Sequence, residues 1–134
     1  MLKKNSKNLM KVLIVEDDSF LLNIYSNQLE TEGFKVFMAE DGDKGLKMAK
    51  KEKPNLILLD ILLPGKDGFE VLKELKSSKD TKNIAVLLLT NLSQKADLEK
   101  GLLLGANDYL IKAHFMPSEV VSKIKKVMKI VRGS

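Results

Sequence analysis

The sequence predicts an α/β protein built on one doubly wound parallel sheet of five strands covered by five helices. Three observations predict it. Five short apolar runs recur along the chain, segments with helical spacing separate each run from the next, and the runs lack the apolar-polar alternation of strands with one wet face. Strand and helix therefore alternate five times, and parallel neighbours require crossover helices that cover the sheet on both sides.

The first run, Lys11-Val12-Leu13-Ile14-Val15, is rich in β-branched residues and stops abruptly at Glu16-Asp17-Asp18. Leu22, Tyr25 and Leu29 then repeat with helical spacing, and Gly33 is placed to end that helix. Phe34 to Ala39 is the second strand, and Asp41 to Lys51 the second helix, on a weaker stripe through Leu46 and Ala49. Asn55 to Asp60 is the third strand. Phe69, Leu72 and Leu75 mark a helix after Gly68. Ile84 to Thr90 is the fourth strand, and Leu98 and Leu102 mark a helix ending before Gly105. After a short fifth strand, Asp108 to Lys112, the last helix shows one stripe of Val120, Ile124, Val127 and Val131 with lysines opposite and Pro117 in its first turn. Met38, Met48 and Met128 read as filler in or near the core.

A chain of 134 residues, 44% of them hydrophobic, suffices for one core. Aromatic residues make up only 5%, so aliphatic layers must supply the packing. The absence of cysteine excludes disulfides, thiolate metal sites and cysteine nucleophiles. No apolar run is long enough for a membrane span and the N-terminus lacks a secretory signal pattern, so a cytoplasmic protein is expected. Residues 1–10 carry three lysines and no acid, and residues 117–134 carry five basic side chains against Glu119; the stretch between is acidic on balance although the whole carries +5. Nucleic acid is therefore not an expected partner of this domain, nor is a membrane. The expected organisation is a basic extension at 1–10, one domain at 11–131 and a short tail at 132–134.

In a parallel sheet the functional crevice lies beyond the carboxyl ends of the strands. There the first strand delivers Glu16-Asp17-Asp18, the third Asp60, the fourth Thr90 and the fifth Lys112. Clustered carboxylates need a counter-charge, and a hard divalent cation such as Mg²⁺ supplies one through oxygen ligands. Lys112 adds a compact second positive charge, Thr90 a hydroxyl donor, and a carboxylate a nucleophile. These are the parts that phosphoryl transfer requires. Asp18 is better suited to cap the first helix than to bind metal, while Glu40 and Asp41 read as a solvated turn before Gly42.

The chain resembles the receiver domains of two-component response regulators over residues 11 to about 131. The resemblance rests on Val12-Leu13-Ile14-Val15-Glu16-Asp17, Gly33-Phe34, Ala39-Glu40-Asp41-Gly42, Asp60-Ile61-Leu62-Leu63-Pro64-Gly65-Lys66-Asp67-Gly68, Thr90, and Gly105-Ala106-Asn107-Asp108-Tyr109-Leu110-Ile111-Lys112 in that order and spacing. It implies strand order 2-1-3-4-5, a flavodoxin-like three-layer sandwich. It also implies that Asp60 accepts a phosphoryl group from a sensor histidine kinase or phosphotransfer protein, and that Glu16, Asp17, Asp60 and the Leu62 carbonyl hold Mg²⁺ or Mn²⁺. Thr90 and Lys112 would contact the phosphoryl oxygens, and Tyr109 would change rotamer as Thr90 moves. The outcome would be a switched surface for a downstream protein, or a phosphorylation-dependent homodimer through the fourth helix, fifth strand and fifth helix. Such a protein is a signalling switch rather than an enzyme.

The pattern departs in places. Most receivers follow the lysine with proline in a cis bond, whereas here Ala113-His114-Phe115 follow Lys112. A cis bond before another residue costs about 2.5–4 kcal/mol, against roughly 0.5–1 before proline, so a trans Lys112–Ala113 peptide is expected. Asn91 is bulkier than the small residue usual after the threonine and would narrow the entry. Leu62 and Leu92 cannot orient an attacking water, which predicts a long-lived aspartyl phosphate. Of the rivals, a haloacid dehalogenase-type phosphatase wants Asp-x-Asp after its first strand, which Glu16-Asp17-Asp18 does not supply, and a nucleotide- or flavin-binding module wants a glycine-rich loop there. A receiver-like docking module that works without phosphorylation is the remaining alternative; the altered segment after Lys112 is its support.

Overall fold

The computed structural model describes residues 9–91, 95–112 and 116–131. Its elements alternate as β1 (Lys11–Val15), α1 (Ser19–Thr31), β2 (Lys35–Ala39), α2 (Gly42–Glu52), β3 (Leu56–Asp60), α3 (Gly68–Ser77), β4 (Ala85–Thr90), α4 (Lys95–Leu103), β5 (Asp108–Ile111) and α5 (Pro117–Val131). The strands form one parallel sheet in the order β2-β1-β3-β4-β5. Strand order reverses between β1 and β3, and their carboxyl ends carry the acidic residues.

The unalternating sequences of β1, β3 and β4 follow from their central position. All of β3 and β4, and β1 from Val12 onward, are buried, while the edge strands β2 and β5 are partly open. Val12, Ile14, Leu58, Leu87 and Leu89 face one layer with Leu22, Tyr25 and Leu29 of α1 and Val120, Ile124 and Val127 of α5. Leu13, Val15, Ile57, Leu59 and Leu88 face the other with Leu46 and Ala49 of α2 and Val71, Leu72 and Leu75 of α3. Alternate side chains of each strand thus enter opposite layers, and each fully buried leucine contributes about 1.5–3 kcal/mol of transfer free energy.

Local chemistry sets the helix ends. Asp18, Asp41 and Asp67 cap α1, α2 and α3 by accepting from backbone N–H groups two or three residues on. Asp41 is therefore a cap rather than merely part of a solvated turn. Gly33, at φ +95°, ends α1, with the Phe34 N–H donating to the Leu29 carbonyl at 3.0 Å.

Two expectations need correction. Met38 is 45% exposed on the outer strand, so it is not core filler, whereas Met128 is buried and Met48 packs against the core. The expected Leu98–Leu102 stripe does not bury α4: Leu102 is 43% and Leu103 88% exposed. The buried residue of α4 is Gly101, where a Cβ would collide with Leu88. The helix backbone rests directly on the sheet layer there, which turns Leu102 and Leu103 outward while Leu98 stays half-buried.

Candidate functional site

The loop after β1, the ends of β3 and β4, and the residue after β5 converge at the carboxyl edge of the sheet. Glu16, Asp60 and Thr90 are buried there, while Asp17 is exposed. The Lys112 ammonium lies 2.7 Å from Asp60 Oδ2 and 2.6 Å from Glu16 Oε1. Residues 52 positions apart are thus joined by a hydrogen bond in which Lys112 donates to Asp60. One carboxylate oxygen from each of Glu16, Asp17 and Asp60 lies within 4.8 Å of the other two.

Backbone donors aim these carboxylates. The Leu62 N–H donates to Asp60 Oδ1 at 3.0 Å, and the Asp18 N–H donates to Glu16 Oε2 at 3.1 Å. Glu16 is itself anchored by its own N–H, which donates to the Ala39 carbonyl at 3.0 Å. Glycine makes the approach of α3 feasible: a Cβ at Gly68 would press on the Asp60 carbonyl and lie 2.6 Å from Ile61 Cα. The Gly68 N–H donates to the Ile61 carbonyl at 2.7 Å, fastening the start of α3 to the strand end that carries Asp60.

Burial holds the Glu16 carboxyl above its ordinary pKa of 4.5, with the Lys112 hydrogen bond opposing and the Asp60 charge reinforcing the shift. At Lys112 burial works to lower the pKa, but the hydrogen bonds to Asp60 and Glu16 outweigh it and the ammonium is held above 10.5. Glu16 and Asp60 therefore share one fixed ammonium, with the Asp17 carboxylate close beside them. Among the described residues Glu16 Oε1, which is buried, has no polar partner beyond its ion pair with Lys112, and Asp17 opens the cluster to solvent. An acceptor-only oxygen set of this kind suits a hard divalent cation.

Thr90 ends β4, paired with Ile111 of β5, and Tyr109 is half-buried on β5 against the α2–α3 layer. Leu62 is 55% exposed, and Asn91 is exposed just past Thr90. Leu92, His114 and the Lys112–Ala113 peptide lie outside the described residues. Sequence reasoning placed Tyr25 only as a core residue. Its hydroxyl pKa is raised first by burial, and it lies in the electrostatic field of Lys112, Glu16, Asp60 and Asp18. The seven-residue spacing from Asp18 on one helix face was the available signal.

A doubly wound five-stranded α/β domain with an acidic cluster at its switch point is a CheY-like fold, and a receiver domain protein from Methanospirillum hungatei superposes on it with a TM-score of 0.87 at 28% identity, over 94% of this chain and 98% of that one. The chain belongs to the response regulator receiver domain family, whose model matches residues 12–125. It is 40% identical over 119 residues to the alkaline phosphatase synthesis transcriptional regulatory protein PhoP of Bacillus subtilis, covering 89% of this chain and 48% of that protein. It is 39% identical to the phosphate regulon transcriptional regulatory protein PhoB of Escherichia coli, covering 89% of this chain and 52% of that protein. The chain thus spans about half the length of these curated relatives. Among the described residues, no helix is long and apolar enough to cross a membrane.

Proposed function

We propose that Asp60 accepts a phosphoryl group from a phosphohistidine on a sensor histidine kinase or phosphotransfer protein, in an Mg²⁺-dependent reaction that switches a partner-binding surface. The observation that carries this reading is the Lys112 ammonium bridging Asp60 and Glu16, with Asp17 beside them. In the transfer an Asp60 oxygen bonds to phosphorus as the phosphorus–nitrogen bond of the donor breaks. Lys112 follows the developing negative charge onto the phosphoryl oxygens, and the Thr90 hydroxyl donates a hydrogen bond to one of them. Glu16, Asp17, Asp60 and the Leu62 carbonyl would hold Mg²⁺ or Mn²⁺, which supplies neutralisation of charge on the phosphoryl oxygens when bound. Tyr109 changes rotamer with Thr90 and relays the change to α4, β5 and α5.

The exposed Leu62 offers no group to orient water, which supports a long-lived aspartyl phosphate. The domain reading is an extension at 1–10, the receiver at 11–131 and a tail at 132–134, acting in the cytoplasm on a downstream protein. It works as a stoichiometric switch rather than a turnover catalyst. Docking without phosphorylation is the less favoured reading, since the closeness of Glu16, Asp17, Asp60 and Lys112 supports phosphoryl transfer.

The test exposes wild type and Asp60→Asn to acetyl phosphate with Mg²⁺ and reads intact mass. Wild type should gain one phosphoryl group, and both Asp60→Asn and chelator-treated wild type should gain none. Labelling of Asp60→Asn to the wild-type level would defeat the assignment.

A further inference from the structure

A groove of about 260 Å³ runs between the outer strand β2 and helix α2, lined by none of the residues of the acidic cluster. Met38, Ala39 and Met48 give it an apolar floor, and Lys44, Lys47 and Lys51 form its rim, with Glu40 at one end. Lys44, Lys47, Met48 and Lys51 recur with helical spacing and so line one side of α2. That stripe is distinct from the buried one of Gly42, Gly45, Leu46 and Ala49.

The local acids do not neutralise this rim. Asp41 is engaged in capping α2, and Asp43 pairs across to Lys66 at 3.4 Å. Glu40 meets Lys44 only at 3.9 Å with both side chains largely exposed, a pair of little strength. Lys47 and Lys51 form no ion pair among the described residues. Farther along β2, Lys35 and its neighbour Lys11 on β1 stand 5.7 and 5.9 Å from the centre of the Phe37 ring, so the pairing of apolar surface with ammonium groups continues along this side of the sheet. Among the described residues β2 is the outer strand and pairs only with β1, so that no described strand covers its other edge.

We propose that this face is a docking site for an extended acidic segment of a partner protein, lying along the open edge of β2 with one apolar side chain seated between Met38 and Met48. An open strand edge supplies main-chain hydrogen bonds, the methionines supply an adaptable pocket, and the lysines select glutamate and aspartate on the segment. The same lysines repel a second copy of this chain at this edge. A nucleic-acid backbone would satisfy the charges but neither the apolar floor nor the strand edge.

The probe is a seven-residue peptide, capped at both ends, in which four glutamates alternate with valine, leucine and valine; the readout is amide chemical shifts of the isotopically labelled full chain. Saturable shifts confined to β2 and α2 are expected. They should vanish in the Lys44→Glu, Lys47→Glu, Lys51→Glu triple variant, and affinity should fall roughly tenfold when the peptide leucine is replaced by serine. Met48→Ser supplies an independent check, with weaker binding expected and the amide spectrum remote from the groove unchanged. The proposal is overturned by an absence of shifts, by binding that survives charge reversal, or by equal affinity for the leucine and serine peptides, which would mark a solvated basic face. Binding of phosphatidylserine vesicles or single-stranded DNA through these lysines, without binding of the peptide, would also overturn it.

Discussion

Lys112 holds two buried carboxylates to one ammonium, and its removal tests what that contact is worth. Breaking a buried pair by deleting one partner costs about 3–5 kcal/mol, because the remaining charge is stranded away from water. Lys112→Met should therefore lower the unfolding free energy by about that amount in chelator, measured by urea titration, and Mg²⁺ should restore part of it. Stability equal to wild type in chelator would show that solvent already screens Glu16 and Asp60. Lys76 is a different case. Its half-buried ammonium donates to the carbonyls of Ile84 at 2.8 Å and Lys82 at 3.1 Å, and burial lowers its pKa from 10.5. Between that lowered value and 10.5 the unfolded chain binds more protons than the folded one, so stability rises with pH across this window. The desolvation penalty is complete below the window and gone above it. Wild type should thus gain stability relative to Lys76→Met as pH approaches 10.5; a constant difference would mean that Lys76 titrates at its ordinary value.

At the scale of elements, the site depends on how closely helices approach the strand ends. Gly68 lets α3 start against the backbone of Asp60 and Ile61. Gly68→Ala should cost about 1–3 kcal/mol, as overpacking does, and shift the amide signals of residues 60–62 more than those of α5. Gly65 is the control: it has φ +72° and nothing within 4 Å of an added Cβ, so Gly65→Asn, which tolerates that backbone region, should leave those amides in place. The helix caps were partly legible. Asp18 stands before an apolar stripe and reads as a cap, but Asp41 precedes Gly42 and weak periodicity, and only the folded backbone shows its carboxylate accepting from Lys44 at 2.8 Å. The leucine spacing locates α4 but not its buried face, for a related reason. A leucine count treats apolar positions as buried, yet close packing at Gly101 leaves Leu103 facing outward.

Across the whole molecule, that exposed leucine joins Leu102 and Met116 as apolar surface on the α4–β5–α5 side. If this surface forms the phosphorylation-dependent homodimer that the family resemblance implies, wild type with beryllofluoride and Mg²⁺ should sediment faster than the untreated protein, and Leu103→Asp should not. Equal sedimentation of treated and untreated wild type would rule out that homodimer while leaving phosphorylation untouched. The layers were readable in advance because β1, β3 and β4 are apolar without alternation, which only a sheet buried on both faces explains, and because glycine and aspartate punctuate the helices between them.

The sequence by itself determined the α/β alternation, the positions of the strands to within a residue or so, and which polar residues follow each strand. Hydrophobic periodicity and capping are local, and a linear chain displays them. The tertiary structure decided the distances: that Lys112 reaches both Asp60 and Glu16, that Asp17 stays open to solvent, that Tyr25 sits in the field of the cluster, and that α4 presents leucine to water. Those depend on how far apart the backbones lie when the layers close. Contacts between residues such as Asp60 and Lys112, 52 positions apart, are set by packing across the whole sheet rather than by any neighbouring pattern.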